Sequence, residues 1–98
     1  MDIIGQTIKN QIKAIDFWAL PSYAATNFKS IEETENREGG LQFQVNGFHF
    51  QGKVLIELTW TDEYKISFIR EDETVERVID NVYCDQLVGI LDYIERWQ

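Results

Sequence analysis

His49 and Cys84 are the single histidine and the single cysteine of this 98-residue chain, so they are the first candidates for nucleophilic or metal chemistry. A thiol near a helix N-terminus has a lowered pKa and becomes a nucleophile when a base activates it. Cys84 lies near the start of a predicted helix, whereas His49 lies across a predicted sheet from it. Without a base at hand, we predict a buried, unreactive Cys84 that packs as a small apolar side chain.

Metal, acid–base and phosphate sites lack the residue patterns that they need. A structural zinc site takes about four His or Cys ligands, and this chain has one of each. Glu71-Asp72-Glu73 is the densest carboxylate cluster, but it lacks the glycine and the spacing of a calcium loop. Gly39-Gly40 matches no phosphate-binding spacing. Glu57 and Lys65, on neighbouring predicted strands, are expected to form a structural cross-strand ion pair. We predict no catalytic residue, no metal and no cofactor.

Alternating apolar and polar residues from Leu41 to Asp80 predict the sheet that positions these side chains. A period of two places alternate side chains on opposite faces of a strand. The alternation breaks at turn signals such as Asn46-Gly47, and connections this short join antiparallel neighbours. We therefore predict a β-meander of four to five strands. Its predicted inner face consists of Phe43, Val45, Val54, Ile56, Leu58, Ile66 and Phe68. Its predicted outer face consists of Gln42, Gln44, Glu57, Thr59, Lys65 and Ser67.

A helix is predicted on each side of the meander. The first spans residues 2–16, and its apolar stripe has helical spacing: Ile4, Ile8, Ile12 and Ile15. The second spans Val82 to Arg96, with Asp80 or Asn81 as its N-cap and a stripe of Leu87, Ile90, Leu91 and Ile94. Residues 27–34 are a further candidate strand, and residues 32–40 its acidic hairpin tip. These elements predict one α+β domain over residues 1–98, a two-layer sandwich.

Composition and charge restrict the classes of function. An apolar fraction of 44% and an aromatic fraction of 13% predict a folded chain. The net charge is −8, with +1 in residues 1–30 and −9 in residues 31–98. A chain this acidic has no broad basic face for nucleic-acid phosphates, so we expect no direct nucleic-acid binding. Neither a signal-peptide pattern nor an apolar run of about 18 residues occurs, so we expect a cytoplasmic protein without membrane contact.

A few apolar residues do not fit the predicted core. Leu55, Ile69 and Val78 fall on the nominally polar face if each strand keeps a period of two, and Trp97 adds a candidate at the C-terminus. Exposed apolar patches mark sites of protein contact, so these four residues are the predicted interface with a homodimer mate or another protein. The alternative is an acidic inhibitor that imitates nucleic acid. It would align these carboxylates on one surface: Glu32, Glu33, Glu35, Glu38, Asp72, Glu73 and Glu76.

Residues 82–87, Val-Tyr-Cys-Asp-Gln-Leu, resemble a segment of small uncharacterised proteins encoded by phages and integrated mobile elements of gut bacteria such as Bacteroides. Two further stretches fit the resemblance, which spans roughly residues 18–87: the connector 18–28, from Trp-Ala-Leu to Asn-Phe, and the Val-Asn-Gly-Phe turn at 45–48. The turn at 61–63 departs from that group. The resemblance implies an accessory protein of a mobile element and carries over no functional residue. We therefore predict a non-enzymatic protein that acts through protein–protein contacts.

Overall fold

Five antiparallel strands, in the order in which they occur along the chain, form one sheet with all the helical elements on one side. The structure is a computed structural model that describes residues 3–95. Its elements are α1 (Ile3–Ile15), α2 (Ala19–Ser22), β1 (Thr26–Ile31), β2 (Gly39–Asn46), β3 (Gln51–Leu58), β4 (Tyr64–Arg70), β5 (Val75–Val82), a 3₁₀ turn (Cys84–Gln86), α3 (Leu87–Leu91) and a second 3₁₀ turn (Asp92–Ile94). The predicted α+β fold with an antiparallel meander is confirmed.

The inner face of the sheet forms the core with the helices. The predicted inner residues are all buried except Leu58, which is half-buried. Ile8 and Ile12 of α1 and Leu87 and Leu91 of α3 complete the same apolar cluster. Ile15, predicted to extend the α1 stripe, is 49% exposed because α1 ends there and the chain turns away from the sheet.

Two buried tyrosines form polar bonds between elements that are distant in the sequence. The Tyr64 hydroxyl donates to Gln11 Oε1 at 2.7 Å, and the Tyr23 hydroxyl donates to Asp92 Oδ1 at 3.0 Å. Burial, with the Asp92 carboxylate as the next cause, raises the pKa of Tyr23 far above its ordinary value. Burial also raises the pKa of Tyr64, so both hydroxyls stay protonated. The Tyr64 bond holds α1 to the sheet, and the Tyr23 bond holds the C-terminal segment to the end of α2.

The C-terminal helix begins later than predicted and is broken into short pieces. Strand β5 runs on through Asn81, at a φ of +57°, to the buried Val82, so neither Asp80 nor Asn81 is an N-cap. The helical turn starts after Tyr83, whose backbone N–H donates to Gln86 Oε1 at 2.9 Å. Gly89, in the middle of α3, weakens a helix by about 1 kcal/mol relative to Ala, which fits its short length.

The hairpin between β1 and β2 is also shorter than the predicted tip. Gly39 and Gly40 belong to β2, not to the turn. A Cβ on Gly40 would lie 2.2 Å from the Ile56 carbonyl oxygen, so only glycine allows β2 and β3 to approach this closely. The loop itself closes through a bridge between Thr34 and Arg37.

We predict that Ile56→Ala lowers the free energy of unfolding by about 2–5 kcal/mol, because Ile56 is fully buried between Leu41 and Ile66. Denaturant unfolding measures this loss. Leu55→Ala is the matched control on the opposite face of the same strand, and we expect it to cost about 1 kcal/mol or less. Equal losses in the two variants would contradict the register of β3.

Candidate functional site on the open face of the sheet

The open face is the side of the sheet opposite the helices. Directly paired residues of antiparallel strands share a face, and the pairing produces two neighbouring rows across this side. One row is Gln42, Leu55, Ser67 and Val78, and the other is Gln44, Lys53, Ile69 and Val75. The structure thus brings Leu55, Ile69 and Val78 together on three adjacent strands. Trp97, the fourth predicted interface residue, lies outside the described residues.

Val75 joins the three predicted residues to form what we term the open-face patch, made of Leu55, Ile69, Val75 and Val78. Val78 is three positions after Val75, so a strict period of two places them on opposite faces. An irregularity in the pairing of β4 with β5, between Phe68 and Ile69, restores Val75 to the same side. Alternation alone has no signal for such a bulge.

The open-face patch is accessible at its β5 edge and closed at its centre. Val75 is 55% exposed and Val78 is 44% exposed, while Leu55 and Ile69 are half-buried. Ser67, predicted to face water, is only 8% exposed because Leu55 and Val78 flank it in its row. The patch therefore consists of two exposed valines at the β5 edge and two half-buried side chains further in, with Ser67 between Leu55 and Val78.

A polar groove of about 650 Å³ borders the patch on the side of β1 and β2. Three cations, two carboxylates and two amide side chains line it: Lys29, Lys53, Arg70, Glu71, Glu73, Gln42 and Gln44. Its volume is in the range of sites that hold a small molecule or a few side chains of another protein. The groove places cationic and amide groups beside the apolar surface.

The charges on the open face are only partly paired. Lys53 lies 3.1 Å from Glu73, and the Arg37 guanidinium lies 3.0 Å from Glu57. Among residues 3–95, the side chains of Lys29 and Lys65 form no ion pair. Two of the lysines on this face are thus available to an external anion.

The predicted Glu57–Lys65 ion pair is wrong, although the two residues are directly opposite each other. Arg37 takes the Glu57 carboxylate instead, and its Nε donates to the Glu32 carbonyl at 2.9 Å. A guanidinium fixed at two points binds a carboxylate more specifically than an ammonium group does.

Cys84 is exposed, so its predicted burial is also wrong. The strand continues to Val82, which takes the inward position and leaves Cys84 at the start of an exposed 3₁₀ turn. His49 follows β2, whereas Cys84 follows the opposite end of the sheet, where Val82 pairs with Tyr64. The structure therefore does not bring the histidine and the thiol together.

A second polar cluster, which the sequence did not reveal, surrounds Tyr93. Its hydroxyl donates to Glu76, which also accepts from Arg70 Nε at 2.8 Å. The His49 ring lies edge-on to the Tyr93 ring with centroids 4.6 Å apart, and the guanidinium of Arg77 lies 5.0 Å from that centroid. The Tyr93 hydroxyl, and after it Arg70, lower the pKa of Glu76. The cluster clamps the C-terminal segment to β5.

The carboxylates that a nucleic-acid mimic needs lie at two ends of the sheet. The loop 32–38 follows β1 beside Leu58, at one end of β3, and the turn 71–74 lies beside Gly52, at the other. Eight strand residues separate these ends by about 26 Å. The carboxylates form two groups and not a continuous row.

We predict that the Glu76→Gln variant loses less stability on acidification than the wild type does. A lowered pKa means that the folded state favours the charged form of Glu76. The stabilisation that this carboxylate contributes is therefore fully present above its ordinary pKa of 4.5, and it is lost as the pH falls through the lowered pKa. Urea unfolding at about pH 7 and about pH 3 tests this, with the wild type losing more stability on acidification. Tyr93→Phe keeps the ion pair of Glu76 with Arg70, so its loss of stability on acidification should lie between those of the wild type and Glu76→Gln. Identical losses in all three proteins would contradict the clamp.

Three further observations concern metal ligands, membrane-spanning helices and similarity to known proteins. In the part of the chain that is described, no three His, Cys, Asp or Glu side chains are grouped to hold a metal ion. The helices within residues 3–95 include none long and apolar enough to span a membrane. Comparison of the chain with protein-family models, with curated proteins and with solved structures returned no match. The open face is therefore the feature of the molecule from which a function is inferred.

Proposed function

We propose that this protein is a non-enzymatic accessory protein that binds another protein through the open face of its sheet. The observation that carries the proposal is the open-face patch, whose four apolar side chains lie on three adjacent strands. Helices cover only the inner side of the sheet within residues 3–95. An apolar surface rimmed by charges is the usual composition of a transient protein interface.

The accessory role itself follows from the resemblance of residues 82–87 to proteins of phages and mobile elements. The resemblance carries no assigned activity, so binding of another protein is inferred from the open face, and we place that partner in the cytoplasm. The open face supports this role because binding through a flat surface requires no catalytic group. Phage or mobile-element origin and the absence of enzymatic activity are parts of the same proposal.

A rival apolar surface lies where α1 meets α2. Phe17 and Trp18 are 66% and 70% exposed, and their rings meet edge-on with centroids 5.4 Å apart. These two side chains stand on a short connector, whereas the sheet holds the four side chains of the open-face patch more rigidly and beside the polar groove. We therefore assign partner binding to the open face.

The second candidate function is that of an acidic inhibitor that imitates nucleic acid. It is favoured by the loop 32–38, where four carboxylates surround a single arginine. Arg37 is fixed to Glu57, which leaves most of that charge exposed. The separation of this loop from the acidic turn 71–74 places this function second, because a mimic presents regularly spaced charges along one surface.

We predict that Leu55→Glu weakens partner binding at least about tenfold, or 1.4 kcal/mol, because it places a charge in the centre of the apolar contact. Partners retained from a host lysate by the wild type are purified and their affinities measured against each variant. The matched control is the Glu33→Gln, Glu35→Gln double variant, which should bind as the wild type does. Circular dichroism checks that both variants fold.

The opposite pattern would contradict this function. A partner that binds Leu55→Glu normally but loses affinity for the double variant would assign the activity to the acidic loop. A partner insensitive to both variants would place the contact elsewhere, with Phe17 and Trp18 as the next surface to substitute.

A further inference from the structure

The open face has the opposite charge to the rest of the protein. Three lysines on its strands face outward, Lys29, Lys53 and Lys65, against two carboxylates, Glu57 and Asp80. The two ion-pair partners from loops, Arg37 and Glu73, add one charge of each sign and leave the face at +1. Since the whole chain carries −8, the residues elsewhere carry −9. A positive face on so acidic a chain calls for an external anionic partner.

The lysines surround the open-face patch. Lys29 lies in the row of Leu55, with only Gln42 between them. Lys53 pairs directly with Ile69, and Lys65 lies two residues along β4 from Ser67 on the same face. A ligand that covers the apolar centre thus reaches a cation in three directions.

The chain leaves part of this positive charge unneutralised. It has 17 carboxylates, yet none within residues 3–95 pairs with Lys29 or Lys65. The groove beside the patch, of about 650 Å³, is lined by three cations, Lys29, Lys53 and Arg70, and by two carboxylates, those of Glu71 and Glu73. Carboxylate side chains of a bound segment would find both space and hydrogen-bond donors there.

We propose that the open face binds an acidic protein segment that also carries apolar side chains. The apolar side chains cover the open-face patch, and the carboxylates meet Lys29, Lys53 and Lys65. This inference rests on the proposed function and names the chemistry of the partner. A second copy of the chain fits less well, because two open faces brought together would place lysines against lysines in an interface that excludes water.

Selection from a displayed library of random peptides, about 12 residues long, against the immobilised wild-type protein tests the composition of the partner. We expect the recovered peptides to be net negative and to contain several apolar residues. The tightest peptide is then synthesised with a fluorescent label, and its affinity is measured by anisotropy. Raising the salt concentration from about 50 to about 500 mM should weaken the binding of the peptide, as expected for partly exposed ion pairs.

Charge-reversed variants test where the peptide binds. Lys29→Glu combined with Lys65→Glu should weaken the peptide about tenfold or more. Lys13→Glu is the matched control, since Lys13 is an exposed lysine on α1, on the helical side of the sheet. It should change the affinity less than about twofold. Leu55→Glu should abolish measurable binding.

The results separate failure of this inference from failure of the proposed function. Recovered peptides that are basic or neutral, yet lose affinity for Leu55→Glu, would overturn the acidic partner and keep the open face as the binding surface. Recovery of no peptide that is sensitive to Leu55→Glu would overturn both. A stable dimer that Leu55→Glu dissociates in sedimentation would overturn the acidic partner in favour of a second copy.

Discussion

One-sided burial of the sheet is the constraint on which the rest of this structure depends. The inner positions of the central strands, from Phe43 through Val54 and Ile56 to Phe68, are fully shielded from water by α1 and the C-terminal segment. A single layer of helices can cover only one side of a sheet. The other side is therefore free to carry side chains selected for purposes other than stability, and it is there that apolar and cationic groups meet.

The central strands are the part of the fold that alternation predicts well. Strands β2, β3 and β4 pair without interruption, so the period of two assigns each side chain to its correct face. The same reasoning places Leu55 and Ile69 outside the core. It succeeds because burial on one face makes a register slip of one residue costly.

Prediction fails where local geometry departs from the ideal strand or helix. Positive φ values at Asn27 and Asn81 accompany irregular pairing in the two edge strands. The second of these delays the C-terminal helix and leaves Cys84 exposed, and the bulge before Val75 adds that residue to the open face. Such shifts depend on tertiary contacts of single residues, which a periodic pattern does not contain.

The candidate site is predictable in its apolar part but not in its electrostatics. Choosing Arg37 over Lys65 as the partner of Glu57 requires the path of the loop 32–38. That choice leaves Lys65 without an ion-pair partner among residues 3–95. The acidic partner proposed for the open face thus depends in part on a long-range contact that no local motif encodes.

Amide chemical shifts, followed by NMR while the protein is titrated with its tightest selected peptide, test the role of the open face most directly. The account predicts that the largest shifts cluster on β3, β4 and β5, at and around Leu55, Ile69 and Val78, whatever the composition of the peptide. Largest shifts in the loop 32–38, or at Phe17 and Trp18, with β3 to β5 unchanged, would contradict it.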